Sequence, residues 1–118
     1  MAVRFFTVSP KSLLDEFNKR LSQSEEKGRI NTWKRSNDKI YYTHSSQQWG
    51  SLAWFKPEIY EDRLTFNIIK PKNRNITTTV YGFYHGHLIE TFLNHFDNLF
   101  TIGAGTAKPT DKDLISNN

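Results

Sequence analysis

Apolar residues recur at helical spacing most persistently over Thr77–Phe96, TTTVYGFYHGHLIETFLNHF. Val80, Tyr84, Leu88, Phe92 and Phe96 fall every four residues, with Phe83 and Ile89 beside them. That is one broad apolar face, wide enough to lie on a sheet. Thr77, Thr78 and Thr79 all suit an N-cap, because a hydroxyl there accepts from an orphan amide of the first turn; Thr78 or Thr79 is the expected cap. Gly82 and Gly86 lie four apart on one side of this helix. Each costs about 1 kcal/mol against Ala in a helix interior, so a close approach to a strand or a partner is expected there.

A second helical stripe, Leu13, Leu14, Phe17 and Leu21, follows Ser9-Pro10. Ser9 suits the N-cap and Pro10 the first helical position, where its missing N–H leaves no bond unmade. Val8 and Leu13 have the spacing of a hydrophobic staple. The helix should fade through the polar run SQSEEKG before Gly28.

Between the helices the period shortens to two. Ile30–Arg35 and Lys39–His44 flank the turn-forming cluster Ser36-Asn37-Asp38, which predicts a hairpin. Ser51–Pro57 and Arg63–Lys70 predict another around Tyr60-Glu61-Asp62. In the last of these, Leu64, Phe66 and Ile68 alternate with Thr65 and Asn67, the mark of one buried and one wetter face. Pro57 should end its strand or lie at an edge. The opening MAVRFFT reads as a strand or an extended lead-in, and Phe100-Thr101-Ile102 as at most a short strand.

These elements predict an α+β fold in the order α-β-β-β-β-α: a four-stranded antiparallel meander with two helices packed on one face. Residues 1–105 form a single α+β domain, and 106–118 a polar, loosely held C-terminal tail. The other sheet face would be partly exposed, with Trp33, Tyr41, Tyr42 and Trp54 as its candidate aromatics.

At 118 residues the chain has room for one real core. Hydrophobic residues are only 36% of it, but aromatics are 14%, so the core must be built from few, large side chains. Cysteine is absent, which excludes disulfides, thiol catalysis and Cys-ligated metal and fits a reducing cytoplasm. No N-terminal run suits a signal peptide or a membrane span, so a cytoplasmic location is expected. The net charge of +4 is concentrated in residues 27–89, where ten Lys/Arg face four Asp/Glu. A basic middle attracts acidic partners, either protein or nucleic acid.

The candidate chemistry is sparse. His85 and His87 point about 200° apart on a helix and cannot share a metal, so no metal or cofactor is expected. For catalysis the weak candidates are His44, paired with Ser45 or Ser46 or with the helix residues His87 and Glu90. The simpler reading is of helix-surface histidines making ordinary hydrogen bonds. No nucleophile motif surrounds the serines, and Gly103-Ala104-Gly105 lacks the features of a phosphate loop.

Binding residues are better indicated: Trp33, Lys34, Arg35, Tyr41, Trp54, Lys56, Lys72 and Arg74 interleave aromatic and basic side chains. The leading expectation is therefore a small protein-interaction module without catalytic activity, of the kind found among bacterial accessory proteins such as inhibitors and toxin-neutralising immunity proteins, with an acidic protein partner. The contact surface would be the open sheet face or the Gly82/Gly86 side of the long helix. The alternative is a nucleic-acid-binding protein that stacks bases on those aromatics, although no recognised RNA- or DNA-binding segment is present. A third reading is a hydrolase-like enzyme using His44 with His87 and Glu90.

Overall fold

In a computed structural model, residues 1–116 are described. The elements run β1 (Ala2–Phe6), α1 (Pro10–Ser22), β2 (Trp33–Arg35), β3 (Tyr42–His44), β4 (Trp54–Ile59), β5 (Arg63–Ile69), α2 (Thr78–Phe96) and β6 (Ile102–Gly105). The fold is α+β. The meander β2-β3-β4-β5 is present as predicted, but it is only part of a six-stranded antiparallel sheet of order β2-β3-β4-β5-β1-β6. The opening residues are not a lead-in. They are an inner strand, with Val3 opposite Phe66 on one side and Gly105 on the other.

Local chemistry explains the element ends. Pro10 opens α1 as expected, and Ser9 is its N-cap, although the Ser9 side chain makes no capping bond. The Val8–Leu13 staple does not form: Val8 is 96% exposed while Leu13 is buried. The cap of α2 is Thr77, one residue earlier than expected, and its hydroxyl accepts from Val80 N at 3.2 Å. Pro57 lies inside β4 rather than at its end. β3 pairs with β4 only at Tyr42↔Phe55, so beyond that point one edge of β4 is open and a missing N–H is tolerated.

Both helices pack on one sheet face around Phe66 of β5. Its ring lies 5.7–6.1 Å from Phe5, Phe17, Tyr42, Phe55 and Phe92, one ring from each of β1, α1, β3, β4 and α2. Phe5 and Phe92 stack at 4.1 Å. Edge-to-face pairs of this kind add about 0.5–1.5 kcal/mol each beyond area burial, which is how a chain poor in aliphatics holds its core.

Gly82 and Gly86 do not mark a close approach to a strand of this chain. A Cβ at either would meet nothing within 4 Å.

The opposite sheet face is partly covered by the chain after β6, where the sequence predicts a loosely held tail. Asp113 forms an ion pair with the Met1 ammonium at 2.9 Å and accepts from Asn67 Nδ2 and Ile68 N. Leu114 then bonds along β5: Leu114 N donates to Ile68 O and Lys70 N to Leu114 O. Residues 117 and 118 of that tail lie outside the described residues. No helix among the described residues is long and apolar enough to cross a membrane.

Candidate functional site

The hairpin turn after β2 is built by side chains. Ser36 Oγ accepts from Tyr41 N at 3.1 Å, and Asp38 Oδ1 accepts from Ile40 N at 3.1 Å. The bonds from Ser36 and from the Ile40 amide hold the Asp38 carboxyl below the usual carboxylate range. Lys39 takes the left-handed conformation the turn requires (φ 63°). This turn delivers Tyr41 to the sheet face away from the helices. There it meets Trp54, which stands opposite Ile69 in the β4–β5 register, and the chain leaving β5.

The result is a groove of about 320 Å³ lined by Tyr41, Trp54, Ile69, Pro71 and the lysines 70 and 72. Its floor is apolar. Lys70 is largely buried and its Nζ donates to Pro71 O at 2.8 Å, which fixes the cation at the groove wall.

Three of the eight binding residues indicated by sequence, Tyr41, Trp54 and Lys72, thus meet in one place. Lys56 is exposed two residues along β4 from Trp54, and Arg74 is exposed in the loop that follows Lys72. Trp33 does not join them. It is 2% exposed, on the helix side of the sheet, where its Nε1 donates to Thr91 Oγ1 at 3.0 Å. Tyr42 is also in the core, tilted against Phe17. Lys34 and Arg35 line a different depression with Asp15 and Asn18 of α1. Sequence reading missed Ile69, and its set of binding residues left out Lys70 and Pro71, although the basic stretch Lys70–Arg74 stood out. Their signal was position: they end the strand whose outward residues continue the line of Trp54.

The histidines form a second cluster. His44 ends β3 and lies 2.6 Å, Nε2 to Nδ1, from His87 in the middle of α2. Ser46 N donates to His44 Nδ1 at 3.1 Å, so the His44 proton sits on Nε2 and is donated to His87. His87 then carries its own proton on Nε2, 3.6 Å from Glu90 Oε1. Ser46 Oγ is 2.9 Å from His44 Nδ1 and accepts from Trp49 N.

All three weak catalytic candidates are therefore in one chain of contacts, but His44 is only 5% exposed. Burial, and then the neighbouring His87, push its pKa down to about 4. Phe83 stands edge-on over the His44 ring at 5.0 Å and stacks on Trp49 at 4.0 Å, roofing the pair. The arrangement can share the His44 Nε2 proton with His87 Nδ1 and tie β3 to α2. Among the described residues, no group of three or more His, Cys, Asp or Glu is placed to hold a metal ion.

Compared with protein-family models, with curated proteins and with solved structures, the chain matches none of them.

Proposed function

We propose that this protein is an interaction module of the inhibitor or neutralising type. It acts by binding an acidic protein partner, and the Tyr41–Trp54 groove seats an apolar side chain of that partner. The observation that carries the reading is the groove itself: two aromatics far apart in sequence form an apolar floor with Ile69 and Pro71, and lysines 70 and 72 stand at its edge. Tyr and Trp are the residue types that most often anchor interfaces, and a fixed cation beside an apolar pocket favours an acidic flank on the partner. Lys56, two residues along β4 from Trp54, and Arg74, two residues after Lys72, add exposed cations. Nucleic acid is less favoured because the groove receives a side chain better than a row of stacked bases, and because Trp33 is in the core.

Affinity capture from the native cell with the tagged wild-type chain, Trp54→Ala and Lys72→Glu tests this, with each lysate treated with nuclease. The expected result is one stoichiometric acidic protein that survives nuclease. Trp54→Ala should weaken the complex at least tenfold, in keeping with a hot-spot loss of about 2 kcal/mol. Lys72→Glu should weaken it most at low salt. Equal capture by all three folded baits, or recovery of nucleic acid alone, would overturn the reading.

A further inference from the structure

β6 ends the sheet beside β1, and its outer side has no neighbouring strand. The register decides which of its backbone groups are used. Thr106 N donates to Ala2 O and Thr101 N to Phe6 O, and between them Ile102 and Ala104 stand opposite Phe6 and Arg4. Bonded pairs recur at every second residue of an antiparallel ladder, so Ile102 and Ala104 also turn their N–H and C=O groups to β1. Gly103 and Gly105 turn theirs outward, where none has a partner among the described residues. A Cβ on either glycine would point at Phe5 or His85, on the helix side, so nothing crowds the strand's outer edge.

An open strand edge is a template for pairing with another chain, and folds protect such edges with charges and prolines. The other open edges of this sheet have that protection. β2 carries Lys34 and Arg35. β4, beyond its single pairing with β3, carries Lys56, Pro57 and Glu58. β6 has none: residues 98–107 include no charged side chain and no proline. Its one restraint is its length of four residues. Against that, Ile102 within it and Leu99 just before it are 58% and 43% exposed, so apolar surface flanks the unpaired backbone.

The charges at the two ends of the strand select what pairs with it. At the Thr101 end stand Asp97, the C-cap residue of α2, and Glu61, which lines a depression with Thr101. Just past the Gly105 end stands Lys108. Among the described residues none of these three is in an ion pair. The edge therefore fits an uncharged strand that runs antiparallel to it and carries a cation at one end and carboxylates at the other. β6 of a second copy is such a strand. With Ala104 on the two-fold axis, Gly103 of each copy lies opposite Gly105 of the other, and the two pairs exchange four backbone bonds. The acidic end of each copy then approaches Lys108 of the other, whereas a parallel pairing would bring like ends together.

We propose that β6 is a self-association edge, and that it pairs antiparallel with β6 of a second copy to make a closed two-fold dimer with one continuous sheet. The Tyr41–Trp54 groove has no lining residue on β1 or β6, so the two readings stand or fall separately. The full chain is followed by sedimentation equilibrium from micromolar to millimolar concentration, with amide hydrogen exchange at both ends of that range. The expected result is a monomer–dimer equilibrium in which the Gly103 and Gly105 amides gain protection as concentration rises, while the open edges of β2 and β4 gain none. Ile102→Lys removes apolar cover and sets a cation at the acidic end, facing Lys108 of the other copy. It should weaken the dimer about tenfold or more. A chain that stays monomeric throughout would overturn the proposal. So would a dimer whose Gly103 and Gly105 amides stay unprotected, since it would form through another surface. Assembly past the dimer would overturn it too, because a two-fold pair leaves no β6 edge free. The exchange readout needs no variant, so it stands even where Ile102→Lys fails to fold.

Discussion

His44 shows how one side chain's surroundings become a property of the whole chain. Its imidazole is buried, and its pKa is held at about 4 against an ordinary 6.5. The unfolded chain therefore takes up the proton first as pH falls. Stability from this group is complete above pH 6.5 and is lost progressively down to about pH 4, where the folded form also protonates. The shift corresponds to up to about 3 kcal/mol. His85 and His95, both lowered chiefly by burial, act in the same direction. Urea midpoints measured between pH 7 and pH 4.5 should fall, and His44→Asn should flatten the fall, whatever it does to the midpoint at pH 7. An unchanged slope in the variant would mean that His44 is not the group that titrates. His44, His87 and Glu90 do come together, but only the Glu90 end is well exposed, with a side chain 67% accessible.

At the scale of elements, α2 was the most legible part of the chain and also the place where one expectation failed. Its apolar face was readable because Tyr84, Leu88, Phe92 and Phe96 repeat without interruption, and all four are buried. The glycines mark no contact with a strand because a helix-interior glycine signals a need for space without saying what fills it. Here nothing within the chain does. Gly82→Ala with Gly86→Ala should therefore raise stability by about 1 kcal/mol per site, seen as a higher thermal midpoint. If the double variant also keeps its partner, the Gly82/Gly86 side of α2 is not the contact surface and the sheet groove stands alone. A double variant of lower stability would mean that the backbone there needs glycine for another reason.

The strands were legible where a turn joined neighbours and illegible where it did not. The Ser36–Asp38 turn announced its hairpin through side chains that bond the backbone locally, and the Tyr60–Asp62 turn through its polar residues, its closing bond being main-chain, from Tyr60 N to Arg63 O. β1 gave no such sign, since its partners are β5, in the middle of the chain, and β6, near its far end. The groove was half legible for the same reason. Tyr41 and Trp54 stood out by residue type, whereas Ile69 and Pro71 matter only through the register that sets Trp54 beside them.

The whole molecule is a sheet with two differently built faces. One is closed by helices and aromatic packing, which hydrophobic period announces. The other is partly closed by a polar segment, which composition alone marks as a tail. Asp113 is the reason it stays. Burial would raise its pKa, but the bonds from Thr110 N, Asn67, the N-terminal ammonium and the Thr110 hydroxyl hold it below the ordinary carboxylate value. Its side chain is fully buried and accepts from five donors, Met1 N, Asn67 Nδ2, Ile68 N, Thr110 N and Thr110 Oγ1. Removing one partner of a buried pair leaves the other charge uncompensated, at a cost of about 3 kcal/mol or more. Asp113→Ala should spend that loss locally, because neither helix packs on the face that the tail covers. The amides of Lys70, Leu114 and Ile76, which bond across the tail junction, should lose hydrogen-exchange protection, while those of α1 and α2 keep theirs. Loss of protection in all elements together would instead make the tail part of one cooperative unit with the aromatic core, and would place the closing of both faces in a single folding event.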